Sequence, residues 1–236
     1  MIVMDKKEMF HVHTYRCGHA KPVSDEAYVI RALQMGAKKI TFTDHAPFPG
    51  DFFANRMRYD ELDEYVASIR ALQEKYQDKI EVRCGLEIEY FPSFRTYYEE
   101  LIASERFDIL LLGQHMFECK PGVYNFDVSL SDQENAMGLF NAQIEGLKTE
   151  YFGALAHPDR CLQKIPDWTP ELDRASKELI AVARQHGSIP LEKNLASMRS
   201  ENMYREPFWK IVGEDYPVLV GCDAHAPEDL KIWEEL

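Results

Sequence analysis

The residues with the most chemical promise in this 236-residue chain are its histidines. Of eight, seven (His11, His13, His19, His45, His115, His157 and His225) lie at or just beyond the ends of short apolar runs, and only His186 falls on an amphipathic stretch. A single histidine after an apolar run is more often a hydrogen-bonded core or surface residue than a ligand. Seven in the same relative position, joined by Glu87 and Asp223, invert that expectation. Imidazole nitrogens and carboxylate oxygens together suit divalent cations such as zinc, manganese or iron. His11-Val12-His13 sits in an extended segment, where alternate residues point the same way, so both rings could reach one ion. His19, on a loop, could meet His45 and His225 at a second centre. Glu87 offers two oxygens and could bridge two cations, with Glu89 as the competing candidate. Cys17 and Cys222 read as packing residues or as neighbours that support the ligands, since thiolates would compete with a hard oxygen-and-nitrogen site.

What must position these groups is a β/α alternation. Apolar runs at Met9–His11, Lys39–Asp44, Ile80–Glu89, Ile109–His115, Phe152–His157, Ser188–Asn194 and Pro217–Asp223 are rich in large aliphatic and β-branched residues, as buried parallel strands are. Between them Leu62, Tyr65, Val66, Ile69, Leu72 and Tyr76 recur at helical spacing. Further helices are expected at Ser24–Met35 with Ser24 as cap, at Ser131–Lys148, and at Pro170–His186 with Gly187 as the stop. Seven such units, without a glycine-rich nucleotide fingerprint, predict an α/β barrel. Its metal-competent residues fall at the C-terminal strand ends, where barrel enzymes build their sites. No linker or low-complexity tract divides the chain, so residues 1–236 read as one domain.

Bulk properties exclude several functions. A formal charge of −13, from 27 Lys and Arg against 40 Asp and Glu, repels a phosphate backbone, so nucleic acid is not expected as a partner. No apolar run approaches membrane-spanning length, and the opening residues Met1 to Lys7 lack a signal-peptide core; a soluble cytoplasmic protein is expected. Five cysteines without a CxxC pair argue for reduced thiols.

The series His11-x-His13, His19, Thr43-Asp44-His45, Gly85-Leu86-Glu87, His115, His157-Pro158 and Asp223-Ala224-His225 resembles the motif order of the polymerase and histidinol phosphatase (PHP) superfamily. Asp44-His45-Ala46-Pro47 through Met57-Arg58-Tyr59, and Gly85 to Pro92, are similar to the monofunctional histidinol-phosphate phosphatases within it. The resemblance implies a distorted (β/α)7 barrel. It implies a first metal held by His11, His13, Glu87 and Asp223, a second by Glu87, His115 and His157, and a third by His19, His45 and His225. Two or three ions of zinc, manganese or iron are thereby expected. Two departures are Gly113-Gln114 before His115 and the segment Leu191 to Arg199, which follows the family's Asn-x-x-Gly-x-Arg only loosely.

The implied activity is hydrolysis of a small phosphate monoester, L-histidinol phosphate first among them, by a metal-activated water. Glu87 and Asp223 would act in catalysis through the ions, with Asp44 as a proton-transfer candidate beside His45. Arg199, then Arg160, are the candidates for binding the phosphate, and Asp159 or a water is the candidate for protonating the leaving group. The rivals are a phosphoesterase for phosphotyrosine or another small ester, and a non-catalytic metal-binding module. A related amidohydrolase would need a lysine where His115 stands.

Overall fold

A computed structural model describes residues 7–200 and 202–232; the reading of the opening residues as lacking a leader lies mostly outside them. Its strands are β1 (Glu8–Val12), β2 (Lys39–His45), β3 (Glu81–Ile88), β4 (Ile109–Leu112), β5 (Glu118–Lys120), β6 (Val123–Tyr124), β7 (Ala154–Leu155), β8 (Leu191–Asn194) and β9 (Val218–Ala224). Its helices are α1 (Asp25–Gln34), α2 (Leu62–Tyr76), α3 (Arg95–Ala103), α4 (Asp132–Lys148), α5 (Pro170–Gln185), α6 (Leu195–Met198) and α7 (Glu206–Val212). Seven strands follow one another as β1-β2-β3-β4-β7-β8-β9 around a closed barrel, while β5 and β6 form a separate antiparallel hairpin.

The chain packs as two compact units. One runs to Glu87 and adds Ser104–Leu110 and the segment from Val220 onward. Here β1 pairs in parallel with β2 and with β9, and β2 with β3 in unbroken register from Lys39↔Glu81 to His45↔Glu87. That register carries His45 and Glu87 to the same level. Helix α2 buries Leu62, Tyr65, Ile69 and Leu72, the stripe expected from its spacing. Ser24 occupies the N-cap of α1 with extended backbone but makes no side-chain capping bond, so its hydroxyl does not serve the role expected of it.

The other unit comprises Ile88–Ala103 and Leu111–Leu219. Ser131 and Glu134 form a reciprocal capping box that starts α4. Thr169 caps α5, whose first residue is Pro170, and Gly187 at φ +93° follows its end. Helices α3, α6 and α7 and the β5–β6 hairpin were not expected. The hairpin arises where the anticipated long fourth strand stops at Leu112: Gly113 N bonds Ile88 O, and the Gln114 side chain bonds Tyr90 N and O. Phe117 then lies on Gly138 of α4, where a Cβ would stand 2.1 Å from its ring.

Candidate metal centre

Within the first unit, β1, β2, β3 and β9 and the segment after β1 bring five of the seven histidines together with Glu87 and Asp223. Glu87, 1% exposed, directs Oε2 to His45 Nδ1 at 3.0 Å, His11 Nε2 at 3.2 Å and His13 Nε2 at 3.6 Å. Asp223 Oδ1 stands 3.2 Å from His13 Nε2 and 3.9 Å from His11 Nε2. His19, His45 and His225 offer nitrogens that lie within 4.8 Å of one another.

The alternation argument for His11 and His13 needs correction. The β1 register shifts against both β2 and β9 around residues 10–12, and His11 has φ +65°. The strand bulges there, and the bulge re-aims His11 while leaving the two rings 4.9 Å apart between centroids. Asp223, at φ +50°, is also left-handed. Backbone held in this sparsely populated region is a common mark of a functional site.

The hydrogen bonds at the far side of each ring define what the near side can do. His19 Nδ1 faces the Cys17 carbonyl at 3.0 Å and His225 Nδ1 faces the Asp223 carbonyl at 3.1 Å. A carbonyl only accepts, so each Nδ1 carries the proton and each neutral ring presents a lone pair on Nε2. Those two Nε2 atoms face one another at 2.9 Å. Burial, with His13 nearby, pushes His225 down to about 4, so this ring is uncharged at neutral pH. Two lone pairs at such a distance require a cation or a shared proton between them. For His13, burial lowers the pKa but the bonds to Asp223 and Asp44 outweigh it and raise it to about 9, so here the carboxylates demand a positive charge. The donor set therefore fits metal ions: nitrogen lone pairs and carboxylates converge, with the opposite ring nitrogens held by carbonyls or carboxylates.

Asp44, the proton-transfer candidate, lies among Thr14, His13 and His45. It is fully buried, its Oδ2 accepts the Thr14 hydroxyl, and its Oδ1 accepts His45 N at 2.9 Å and stands 3.5 Å from His13 Nδ1. This arrangement orients His13. Cys17 comes closer than a packing residue needs to: its sulfur lies within 4.8 Å of nitrogens of His13 and His225. Burial pushes that thiol up to about 12, so it is protonated at neutral pH. Cys222 is buried and directs its thiol to Lys231 O.

Within the second unit, His115 and His157 meet with ring centroids 5.1 Å apart. Glu89, the rival to Glu87, instead faces His115 Nδ1 at 3.1 Å. His157 has φ +27°, and its backbone N–H is held by Glu192 Oε2 at 3.0 Å. The Arg160 guanidinium donates to Asn194 Oδ1 at 2.9 Å and to Ser197 Oγ at 2.9 and 3.0 Å. Arg199 is exposed at the C-cap of α6, whereas the Arg160 side chain is held by Asn194 and Ser197. Asp159, 1% exposed, accepts Arg205 N at 2.7 Å and the Trp209 indole at 2.9 Å; burial pushes it up to about 6. Those bonds make it an anchor for α7 rather than an open proton donor. Sequence reasoning passed over Thr14, Glu192 and Asn194, although all three are polar residues at strand ends, which was the available signal.

The PHP domain family model matches residues 10–194. A protein assigned as a histidinol-phosphatase in Deinococcus radiodurans is 30% identical over 233 residues, covering 93% of this chain and 86% of its own. The Bacillus subtilis histidinol-phosphatase is 33% identical over 90 residues, 36% of this chain and 34% of that one. Among solved structures, the histidinol phosphate phosphatase of Lactococcus lactis, complexed with zinc, L-histidinol and phosphate, superposes with TM-score 0.74 at 20% identity, covering 94% of this chain and 87% of that one. A Listeria monocytogenes protein assigned as a histidinol phosphatase gives TM-score 0.77 at 19% identity, with coverage of 94% and 97%. These two structures share the distorted (β/α)7 barrel. With the family model spanning most of its length, the chain belongs to the PHP domain family.

Proposed function

We propose that this protein is a metal-dependent phosphatase that hydrolyses L-histidinol phosphate to L-histidinol and phosphate. The observation that carries the reading is the convergence of imidazole lone pairs and carboxylates at the strand ends, in a chain similar over 93% of its length to a protein assigned as a histidinol-phosphatase. His11, His13, Glu87 and Asp223 form one ligand set, His19, His45 and His225 a second, and His115 with His157 serve a further ion. Divalent cations so held would supply positive charge to the phosphate oxygens and acidify the attacking water.

The protein's own part is positioning. The carbonyls behind His19 and His225, and the carboxylates of Asp44 and Glu89 behind His13 and His115, fix which nitrogen each ring presents. Arg160, pinned by Asn194 and Ser197, is the guanidinium we assign to the phosphate. The net charge of −13 favours a small ester, whose charge a local cluster can match, over a nucleic-acid polymer.

The test is phosphate release from L-histidinol phosphate by zinc- or manganese-loaded enzyme, beside a panel of monoesters that includes phosphotyrosine, with metal content measured on the same sample. Selective turnover of histidinol phosphate is expected. Feeble release from every ester would overturn the substrate, and no release from protein carrying its metals would overturn the enzyme in favour of a binding module.

A further inference from the structure

We propose that Arg16 is a positioning residue of the metal centre, acting through Thr14 and Asp44 to fix the tautomer and orientation of His13. The inference rests on the reading of His13 as a metal ligand. Arg16 is one residue from the loop that leads to His19, yet its side chain is only 1% exposed. Two carboxylates hold the guanidinium. Nη1 lies 3.0 Å from both Oδ1 and Oδ2 of Asp25, and Nε and Nη2 make a fork on Glu64 at 2.8 and 2.9 Å. Asp25 is held in turn by the Ser68 hydroxyl at 2.6 Å.

The clamp aims a donor at Thr14. Arg16 Nη1 donates to Thr14 Oγ1 at 3.1 Å, and the Arg16 backbone N–H reaches the same oxygen at 3.4 Å. A hydroxyl has one proton and two acceptor positions, and a guanidinium can only donate. With both acceptor positions occupied, the single Thr14 proton must go to its remaining neighbour, Asp44 Oδ2. Asp44 is fully buried, so its oxygens take their hydrogen bonds from donors of this kind rather than from water. Its other oxygen stands 3.5 Å from His13 Nδ1, while Nε2 on the far side of the ring faces Glu87 and Asp223; with an ion on Nε2 the remaining ring proton lies on Nδ1, toward Asp44. The donors thus converge on Asp44, Thr14 on one oxygen and the His13 side on the other, and the guanidinium fixes which way the Thr14 proton points and so where the carboxylate is held. A lysine or a glutamine at residue 16 could not hold two carboxylates and the hydroxyl together.

A merely structural arginine would also tie α1 to α2 through Asp25 and Glu64, so the test must separate the two roles. Thr14→Val removes the hydroxyl relay and leaves the bonds of Arg16 to Asp25 and Glu64 in place. Zinc dissociation constants from chelator competition are compared for the wild type, Thr14→Val, Arg16→Met, the double variant and His13→Ala, and the His13 tautomer is read from 15N chemical shifts in metal-free protein at a pH above about 9, where the ring is neutral. Thr14→Val and Arg16→Met should each weaken zinc at the His13 ion by about 10- to 100-fold. The double variant should be no worse than the weaker single one, because both cut the same relay, and the Nδ1–H signature should be lost in both. Unchanged zinc affinity and tautomer in Thr14→Val would overturn the proposal even if Arg16→Met failed to fold. If His13→Ala itself bound zinc as tightly as wild type, the ligand assignment would fall, and the relay with it.

Discussion

Glu87 is the carboxylate whose Oε2 three histidines approach most closely, with Asp223 Oδ1 facing His13, His225 and His11 at somewhat longer distances. Replacing Glu87 with Ala should reduce phosphatase activity by about three powers of ten or more, since a lost metal contact removes several kcal/mol of charge stabilisation. Wild-type turnover in Glu87→Ala would remove it from the centre. Neighbouring His13 makes metal binding pH-dependent. Its pKa in the metal-free fold is raised to about 9 from 6.5, so the protonated ring contributes stability that is complete below 6.5 and lost as pH rises through about 9. Zinc must displace that proton. Apparent affinity should therefore rise by about tenfold per pH unit from pH 7 and level off above about 9. Chelator competition at pH 7, 8 and 9 reads this directly; a flat profile would show that His13 holds no proton for zinc to displace.

At the scale of elements, β3 must approach its neighbours closely to bring Glu87 into place. A Cβ at Gly85 would stand 2.7 Å from Ile109 Cγ2, 2.8 Å from Ile109 O and 3.1 Å from Phe42 O. Two of those atoms are backbone, which cannot turn aside. Gly85→Ala should destabilise the protein by about 1–3 kcal/mol through overpacking, visible as a lower denaturation midpoint, and unchanged stability would mean that the strands can part. The element pattern also explains which parts of the fold were legible. Helices α2, α4 and α5 carry long apolar stripes, with side-chain caps on α4 and α5, and were anticipated within a residue or two. Helices α6 and α7 are four and seven residues long, too short for periodicity to speak. The bulge at His11 was invisible because a period-two pattern presumes an unbroken ladder.

For the whole molecule, the ions should be part of the stability. Ligands from β1, β2, β3 and β9 are far apart in sequence, so an ion that binds only the folded chain shifts the folding equilibrium toward it. Zinc at one hundred times its dissociation constant should add about 2.7 kcal/mol, or roughly 5–10 °C in melting temperature for a chain of this size. Removing it with a chelator should reverse the change, and calorimetry on loaded and stripped protein decides; identical melting curves would argue against a preformed centre. Among the described residues no helix is long and apolar enough to cross a membrane.

Sequence alone determined the alternation of strands and helices, and the crowding of histidines, Glu87 and Asp223 at strand ends, because burial patterns and residue types are local properties written along the chain. Tertiary structure decided the roles. Glu87 and Glu89 are two residues apart and chemically alike, yet one meets three imidazoles and the other backs His115. Asp44 became a buried orienting group, and Arg160 rather than Arg199 became the fixed cation, because partners such as Thr14 and Asn194 arrive from other strands. The direction of each imidazole proton is likewise set by an acceptor behind the ring, and the order of residues along the chain does not contain it.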